Sequence, residues 1–491
     1  MAGPSWIGVD LGTQSVRAVV ADAYGDVLAR ASRPLTSHRD GVRHEQDPQA
    51  WLDAVDGVLA EVTQGNQVTP GNARTQGTLR TQGTVRTQGN VRTQGMVVTR
   101  GGIEGICICS TSGTFLLTDP SGRPVTPALM YDDARAADRR DRIVDADPDR
   151  WATAMQPTWA LPKILALVAD GYDLAGHRVV HSADFVAAHL VGHPVATDTS
   201  HALKTGYDLI ADTWPTAAFE KLGLRISAFP DVVLPGTELG RTPSGVPVYA
   251  GMTDGCAAQI AAGALAPGAW NSVLGTTLVL KGVSKDLLDD PTGAVYSHRH
   301  PDGGWLPGGA SSTGAGVLTE LLPGADLDAL DQAARALGPI DAVTYPLTKT
   351  GERFPFVAPQ AERFTLGAIP DDLHTYAAVL QGVAFIERLA FEHLETLGAD
   401  PLSSVSLTGG ATRSGYWNQL RSDVLGVPVE LPAVPHPAYG MAVLAASAGT
   451  ALTETARRMV RVDHILEPRK QSLDDLYGEF VAELDRRGYR G

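Results

Sequence analysis

The stretch WIGVDLGTQSVRAVVAD, residues 6–22, decides the fold class of this chain. Its two apolar runs, 6–9 and 16–22, predict β-strands that the turn DLGTQS joins. Gly25 and Asp26 supply another turn before a third strand, VLARASRPL. An acid and small hydroxylated residues interrupt this meander. They bury little apolar surface, which indicates that this turn has a role other than hydrophobic packing.

The length of the chain suggests two domains. It has 491 residues, and a single hydrophobic core stops growing near ~250–300 residues. With 43% hydrophobic and 19% charged residues, the composition is that of a folded protein. We therefore expect two large domains.

Charge and cysteine content exclude several classes of protein. A net charge of −15 opposes a general affinity for nucleic acid or anionic membranes. Three cysteines, Cys107, Cys109 and Cys256, are too few for a disulfide framework, and no CxxC or HExxH spacing occurs. Neither a secretory signal nor an apolar stretch near the ~20 residues of a membrane span is found. We expect a cytoplasmic protein without a structural metal, a nucleic-acid partner or a membrane contact.

Periodicity predicts several later elements. DPQAWLDAVDGVLAEVT (47–63) has the spacing of an amphipathic helix after an Asp-Pro start. Strands are expected at 103–109 and 114–119, and further helices at 182–191, 373–398, 415–425 and about 472–487.

The opening pattern recurs in the second half of the chain. A second cycle begins near Val248, where VYAGMTDGCAAQIAAGAL is followed by NSVLGTTLVLKG. We therefore expect a domain boundary close to residue 250, with domains at 1–250 and 251–491.

A repeated hexapeptide lies between the first helix and the strand at 103–109. From Asn72 the sequence reads NARTQG, TLRTQG, TVRTQG, NVRTQG and MVVTRG. One interpretation is a β-helix or a basic binding arm, and the other is a surface loop grown by duplication. So short an array cannot bury a core, whereas loops tolerate long insertions. We predict a mobile insertion at 71–101 without a catalytic role.

The first segment suited to chemistry is DLGTQSVR (10–17). Its Gly-Thr turn can present backbone N–H groups and a hydroxyl to a phosphate, and Asp10 can hold Mg²⁺ directly or through water. The alternative is an ordinary β-turn whose Asp caps its own backbone. A similar turn, Gly275-Thr276-Thr277, interrupts NSVLGTTLVLKG (271–282). One such turn from each half would grip the phosphates of one nucleotide from opposite sides.

Two further segments combine a strand, glycines and a helix. In AGMTDGCAAQ (250–259), Asp254 can act as a general base if it lies within ~2.6–3.2 Å of an alcohol, or it can simply cap the helix. In VSLTGGATRSGYWNQLRSDVLGVPV (405–429), the glycines let backbone approach a flat ligand. The helix N-terminus that follows suits a polar adenosine or its phosphates.

In this order, the four segments resemble the carbohydrate kinases named for their FGGY signature, within the actin/Hsp70/hexokinase superfamily. The resemblance runs from GVDLGTQSVRAVV through WALPKILAL, SADFVAAHLVGHPVATDTSHALKTGYD and GMTDG to SLTGGATRSGYWNQLRSDVLGVPV and YGMAVLAASAG. Only the RTQG insertion lies outside it. It implies an α/β fold of two ribonuclease-H-like domains, an N-terminal sugar-binding domain and a C-terminal nucleotide-binding domain. Their central cleft would close on ATP, Mg²⁺ and a small ketose or polyol.

Matched position by position, the resemblance implies roles for single residues. Asp254 would be the catalytic base. Asp10 would be a second catalytic residue, an acidic side chain that is associated with Mg²⁺ and also lies near the sugar. The residues expected to contact ATP are Thr13, Gly275, Thr276, Thr277, Gly409, Gly410, Ala411, Ser414 and Trp417.

The layout is most similar to that of xylulose kinases, in which a Met-His pair touches the sugar. Counting back from Asp119 without gaps places Ser112 and Gly113 there, so the histidine is missing. STSGT together with YDDARA resembles a xylulose-kinase-like subgroup that acts on D-ribulose. The candidate sugar contacts are Asp10, Thr111, Ser112, Asp133 and Asp254. For Thr111, Ser112 and Asp133, an ordinary turn or surface role is the alternative.

The resemblance thus implies ATP-dependent phosphorylation of a terminal hydroxyl of a small ketose, D-ribulose or D-xylulose foremost. L-ribulose, glycerol and other polyols stay open, because one or two hydrogen bonds can discriminate epimers. A nucleotide-gated structural or chaperone-like protein would need neither AGMTDG nor STSGT. The intact Asp10, Thr13 and Asp254 disfavour an inert sugar sensor. The oligomeric state is also open, with a homodimer as one arrangement to test.

Overall fold

Two mixed β-sheets, one from each half of the chain, form the centre of the molecule. The computed structural model describes residues 3–63, 102–469 and 473–490. The insertion predicted at 71–101, with its mobility, lies outside the described residues.

The strands are numbered in chain order: β1 (Ser5–Leu11), β2 (Ser15–Asp22), β3 (Val27–Pro34), β4 (His38–Asp40), β5 (Arg43–Gln46), β6 (Ile103–Ser110), β7 (Phe115–Thr118), β8 (Ala128–Leu129), β9 (Arg178–His181), β10 (Thr197–Asp198), β11 (Val232–Val233), β12 (Glu238–Arg241), β13 (Pro247–Tyr249), β14 (Ala269–Leu274), β15 (Leu278–Gly282), β16 (Tyr296–Arg299), β17 (Trp305–Ala310), β18 (Val343–Tyr345), β19 (Phe364–Leu366), β20 (Ser404–Thr408), β21 (Val429–Pro432) and β22 (Val462–Leu466).

The helices are α1 (Pro48–Thr63), α2 (Arg140–Ala146), α3 (Pro148–Trp151), α4 (Ala160–Ala169), α5 (Ser182–Val191), α6 (Thr199–Ala202), α7 (Thr216–Leu222), α8 (Asp254–Ala261), α9 (Gly316–Leu321), α10 (Leu327–Leu337), α11 (Asp372–Thr396), α12 (Gly415–Leu425), α13 (Pro437–Ala446), α14 (Leu452–Met459) and α15 (Asp474–Arg486).

The two large sheets repeat one topology. The first has the order β12-β13-β6-β1-β2-β3, and the second the order β16-β17-β15-β14-β20-β21-β22. The first sheet has an antiparallel meander, β1 to β3, followed by the parallel strands β6 and β13. The second sheet has the antiparallel strands β14, β15 and β17, followed by the parallel strands β20 and β21. The opening pattern therefore recurs as predicted, but its second cycle begins at Ala269 in β14 and not near Val248, which lies in β13 of the first sheet.

The first sheet ends at Tyr249 in β13, and the second begins at Ala269 in β14. The boundary near residue 250 falls between them, and we retain it as a proposal.

Helices α8 and α13 lie between the two sheets. Helix α13 comes from the second half of the chain, yet it packs on β1 and β6 of the first sheet as well as on α8. Small residues allow this close contact, since a Cβ on Gly8 would lie 1.7 Å from the carbonyl oxygen of Ala438. Likewise, a Cβ on Gly440 would lie 2.0 Å from the carbonyl oxygen of Ala257. Interior packing has no room for such overlaps, so glycine is required at both positions.

Most of the elements predicted from periodicity are confirmed. The helices predicted at 182–191 and 415–425 have those bounds, as α5 and α12. Helices α1, α11 and α15, and strands β6 and β7, agree with their predictions to within two residues. A five-stranded sheet, β4-β5-β8-β7-β9, was largely missed. Its strands are only two to four residues long, too short for a period-two pattern to show.

None of the helices in the described ranges is long and apolar enough to cross a membrane.

Candidate active site

A pocket of about 330 Å³ lies where three parallel strands of the first sheet end. Strands β1, β6 and β13 run in the same direction, so the residues that follow them meet at one edge. The pocket is lined by Asp10, Gly12, Thr13, Thr111, Ser112, Tyr131, Lys204, Asp254 and Pro437. The structure thus brings together both carboxylates and three hydroxyl residues that the sequence singled out.

Asp10 is the more buried of the two carboxylates, with 5% of its surface exposed. Its Oδ1 lies 3.7 Å from the thiol of Cys109, and its Oδ2 lies 4.0 Å from Nε2 of His436. Burial and the charge of Asp254 raise the pKa of Asp10 to about 7, although Arg17 opposes the rise. Two acids that disfavour each other's charge in this way form a site suited to a cation.

Asp254 is the first residue of α8, and Thr253 occupies the N-cap position. Its carboxylate accepts a hydrogen bond from its neighbour, the Gly255 N–H, at 2.8 Å. Burial raises the pKa of Asp254, while this bond and the charges of Lys204, His201 and Lys281 partly oppose the rise. The carboxylate lines the pocket instead of capping the helix, and an acid of raised pKa is a better proton acceptor once ionised.

The turn that follows β6 forms one wall of the pocket. Thr111 and Thr114 share a hydroxyl hydrogen bond of 2.6 Å, which leaves Ser112 at the tip. Gly113 has φ = 89°, in the region that favours glycine. Because Gly113 has no side chain, Lys204 can lie over it: a Cβ there would stand 3.4 Å from Cδ of Lys204.

Lys163 binds the backbone of this turn. It is fully buried in α4, and its Nζ donates to the carbonyl oxygens of Gly113 at 2.9 Å and Met130 at 2.7 Å. Met130 precedes Tyr131, another pocket residue. Burial lowers the pKa of Lys163 to about 7, partly offset by the charge of Asp133. One ammonium group therefore joins two of the segments that line the pocket.

Sequence reasoning missed Tyr131 and Lys204. Both belong to segments that carried the family resemblance, YDDARA and SHALKTGYD, but nothing in the spacing indicated that they face the carboxylates. Tyr131 lies at the pocket mouth, with 43% of its surface exposed. Lys204 makes no hydrogen bond or ion pair of its own within the described residues, and its charge acts on Asp254.

Asp133 does not line the pocket, in contrast to the expected sugar contact. Its carboxylate is fully buried and accepts hydrogen bonds from the backbone N–H of His44 at 2.7 Å and the guanidinium of Arg135 at 2.6 and 2.8 Å. Burial would raise the pKa of Asp133, but Arg135 and the backbone donors lower it. In this structure the carboxylate anchors the YDDARA segment, and its contact with the sugar stays a prediction.

A larger pocket of about 730 Å³ lies in the second half of the chain. The predicted ATP-binding residues that line it are Gly275, Thr276, Gly410, Ala411, Ser414 and Trp417. Ser414 caps α12 by accepting the N–H of Trp417 at 2.9 Å, and its hydroxyl also bonds to Asp331. The sequence did not indicate Asp331, Arg335 or Tyr376, which lie in the same pocket.

Gly409 and Thr277 do not line this pocket, but they shape the backbone next to it. Gly409 has φ = 91°, and a Cβ there would lie 2.5 Å from the carbonyl oxygen of Leu274. It therefore lets the β20–α12 turn approach the end of β14. The Thr277 carbonyl accepts the Gly275 N–H at 3.1 Å and closes the second Gly-Thr turn.

The two Gly-Thr turns line different pockets. Thr13 belongs to the smaller pocket, and Gly275 and Thr276 to the larger one. Helix α8 connects them, because it begins with Asp254 in the smaller pocket and packs against β14 and β15, the strands that the second turn joins. A ligand that touches both turns would have to extend from one pocket toward the other.

Known proteins resemble this chain over nearly its whole length. The model of the FGGY family of carbohydrate kinases, N-terminal domain, matches residues 5–264, and that of the C-terminal domain matches residues 270–449. The chain is 25% identical to the xylulose kinase of Escherichia coli (strain K12) over 454 residues, which is 86% of this chain and 85% of that protein. It is 27% identical to the xylulose kinase of Streptomyces rubiginosus over 528 aligned positions, covering 99% and 98%.

Solved structures show the same architecture. The xylulose kinase from Rhodospirillum rubrum superposes with a TM-score of 0.82 at 25% identity, and 99% of each chain is covered. The predicted fold class, an α/β protein with two actin/hexokinase-like domains, is therefore confirmed.

Proposed function

Because the chain belongs to the FGGY family of carbohydrate kinases, enzymes that use ATP with Mg²⁺, we propose that it phosphorylates a terminal hydroxyl of a ketopentose. The acceptor would be D-ribulose or D-xylulose. One observation carries the proposal: Asp10 and Asp254 line a single small pocket together with Thr13, Ser112 and Lys204.

In this proposal Asp254 accepts the proton of the attacking hydroxyl. Its carboxylate faces the pocket, and burial raises its pKa toward the range in which a carboxylate is an effective general base. The positive charge of Lys204 favours the ionised form that the reaction requires. Phosphoryl transfer needs little covalent chemistry from the protein, so holding the hydroxyl in line is the main task of these side chains.

The residues around Asp10 fit a magnesium ion. Its carboxylate is buried, repelled by Asp254 and bonded only weakly to a thiol, so a cation would relieve an unfavourable charge. No group of three or more His, Cys, Asp or Glu side chains in the described part of the chain could hold a metal by itself. Mg²⁺ commonly binds one or two carboxylates plus phosphate oxygens. When bound there, it would neutralise phosphate charge during the transfer.

We assign the larger pocket to the nucleotide. Gly410 and Ala411 present backbone, and Ser414 caps α12 at the edge of the cavity, an arrangement that suits a polar adenosine. Gly275 and Thr276 would then meet the phosphates at the other end. Thr13 would approach the phosphates from the first half of the chain when the two halves close.

The structure offers arguments for both sugars. The named relatives are xylulose kinases, which favours D-xylulose. Residue 113, however, is glycine, and the space beside it is taken by Lys204, whose ammonium would donate to an acceptor oxygen. This difference from the Met-His pair of xylulose kinases keeps D-ribulose as an acceptor to test, because one changed hydrogen bond can discriminate epimers.

A coupled ADP-release screen over ketopentoses, glycerol and other polyols tests the proposal. We expect turnover with D-ribulose or D-xylulose at least tenfold above that with glycerol and above ATP hydrolysis without sugar. Asp254→Asn serves as the control and should remove the sugar-dependent release. Equal ADP release with and without every sugar would refute the proposal.

We also propose a cytoplasmic location, which the three buried, unpaired cysteines support. A homodimer remains a proposal that light scattering of the purified protein tests.

A further inference from the structure

A chain of buried polar side chains runs behind the smaller pocket. It consists of Ser110, Asp198, Ser200 and His201, none of them more than 1% exposed. These side chains come from the end of β6, the end of β10 and the short helix α6. Polar groups so deeply buried are costly unless their partners hold them in fixed geometry.

Asp198 and His201 form the centre of this chain. Oδ2 of Asp198 is hydrogen bonded to Nδ1 of His201, and Oδ1 accepts the backbone N–H of Ser200 at 2.8 Å. Burial would raise the pKa of Asp198, but the charge of His201 lowers it. Burial would also lower the pKa of His201, but the charge of Asp198 raises it. The two side chains therefore stabilise each other's charged form, and their hydrogen bond fixes the orientation of the imidazole.

One end of the chain reaches the turn after β6. Nε2 of His201 lies 2.8 Å from Oγ of Ser110, which also accepts the hydroxyl of Ser182 at 2.8 Å. Ser110 is the residue before Thr111, a pocket residue. The hydrogen bond between His201 and Ser110 therefore connects the buried pair to this wall of the pocket.

The other end reaches the residue before the general base. Oγ of Ser200 donates to Oδ1 of Asp198 at 2.5 Å and accepts the backbone N–H of Thr253 at 2.9 Å. Thr253 is followed by Asp254, and it also forms a parallel bridge with Ser110. The same buried pair therefore contacts both sides of the site.

Ser110, His201 and Asp198 have the order of hydroxyl, imidazole and carboxylate found in nucleophilic serine sites. Ser110 is nevertheless fully buried, and its hydroxyl is hydrogen bonded to both His201 and Ser182. A nucleophile must reach its substrate, so this arrangement has a structural task.

We propose that the Asp198–His201 pair, through Ser200, is a positioning device that holds Asp254 at a fixed distance from the Thr111 turn. A movement of α6 would leave buried hydrogen-bonding groups of Asp198, Ser200 and His201 without partners, so these bonds oppose it. The inference rests on the proposed function, since it assigns Asp254 the role of base. None of the four side chains lines the pocket, so they are positioning residues.

Ser200→Ala tests the inference with the least disturbance. We expect kcat with the preferred ketopentose to fall at least tenfold, while the KM for ATP and the Kd for ADP stay within twofold. Thr126→Val is the matched control, because the Thr126 hydroxyl likewise accepts a backbone N–H, that of Leu117 at 3.0 Å, but lies outside the pocket lining. This control should keep the wild-type kcat.

A second measurement does not depend on activity. Amide hydrogen exchange of the peptide that contains Thr253 should be faster in Ser200→Ala than in the wild type and in Thr126→Val. A double-mutant cycle with Ser110→Ala should be non-additive, with the combined loss of kcat smaller than the product of the single losses.

Wild-type kcat in Ser200→Ala, unchanged exchange at Thr253 or an additive cycle would each overturn the inference. If the wild type phosphorylates no sugar, the proposed function fails, and the exchange comparison still decides whether the pair holds Thr253.

Discussion

Lys204 lies over Gly113, with its Cδ 3.4 Å from the point where a Cβ on that glycine would stand. Its side chain thereby reaches the pocket that holds Asp10 and Asp254. A Cβ at position 113 would touch Lys204 at an ordinary contact distance, but the φ of 89° would strain any residue other than glycine.

Lys204→Met should raise the KM for the sugar at least tenfold, because an ammonium that donates to the acceptor is replaced by an apolar group of similar length. The KM for ATP should change less than twofold. Steady-state kinetics with each substrate varied in turn measures both. Lys221→Met is the control, since Lys221 binds the Ala146 carbonyl at 2.9 Å outside the pocket. Unchanged sugar KM in Lys204→Met would contradict the assignment.

Lys163→Met should weaken the sugar site indirectly. It removes the donor to the carbonyls of Gly113 and Met130, each loss costing about 1–3 kcal/mol if the carbonyl stays unpaired. We expect a lower thermal midpoint and a sugar KM that rises several-fold, with the KM for ATP unchanged. A proportional rise of both KM values would show instead that Lys163 stabilises the fold as a whole and not the sugar site in particular.

Asp10 should make stability depend on pH in the absence of Mg²⁺. Because its pKa is raised from 3.8 to about 7, the folded state binds more protons than the unfolded state between these values. The free energy of unfolding contributed by Asp10 therefore falls as pH rises from about 4 to about 7. Above pH 7 the raised pKa of Asp10 lowers the free energy of unfolding by its full amount, roughly 4 kcal/mol as an upper bound.

Urea unfolding of the wild type and Asp10→Asn at pH 5 and pH 8, in EDTA, measures this difference. Asp10→Asn should gain stability over the wild type at pH 8, and the two proteins should differ less at pH 5. Parallel pH dependence in the two proteins would contradict the raised pKa of Asp10.

Much of the fold was predictable because its signals are local. The apolar strands around Asp10 and around Gly275 have turns of defined chemistry between them, and their recurrence indicates two similar sheets. Helix α12 is bounded by Ser414 at its N-cap and Gly426 at its C-cap, and α5 ends at Gly192. The short strands β4, β5, β8 and β9 depend on tertiary contacts, so of their sheet only β7 was predictable from pattern.

The site was predictable only in part. Asp10 near the end of β1, Thr13 just beyond it and Asp254 five residues after β13 meet because β1, β6 and β13 pair in parallel. Lys204 enters the pocket from a segment with no strand of its own there, and it packs over Gly113. Asp133 lies outside the pocket lining, because a motif does not reveal which way a carboxylate turns and Arg135, two residues along, binds it.

The most direct test of the central claim is single-turnover phosphoryl transfer by Asp254→Asn with the ketopentose selected by the screen. The asparagine keeps the shape of the side chain but cannot accept the proton, so we expect the transfer rate to fall by about 10²–10⁴-fold. The Kd for ADP with Mg²⁺, measured by calorimetry on the same variant, should stay within twofold of the wild type. A wild-type transfer rate in Asp254→Asn would contradict the claim that this carboxylate is the base.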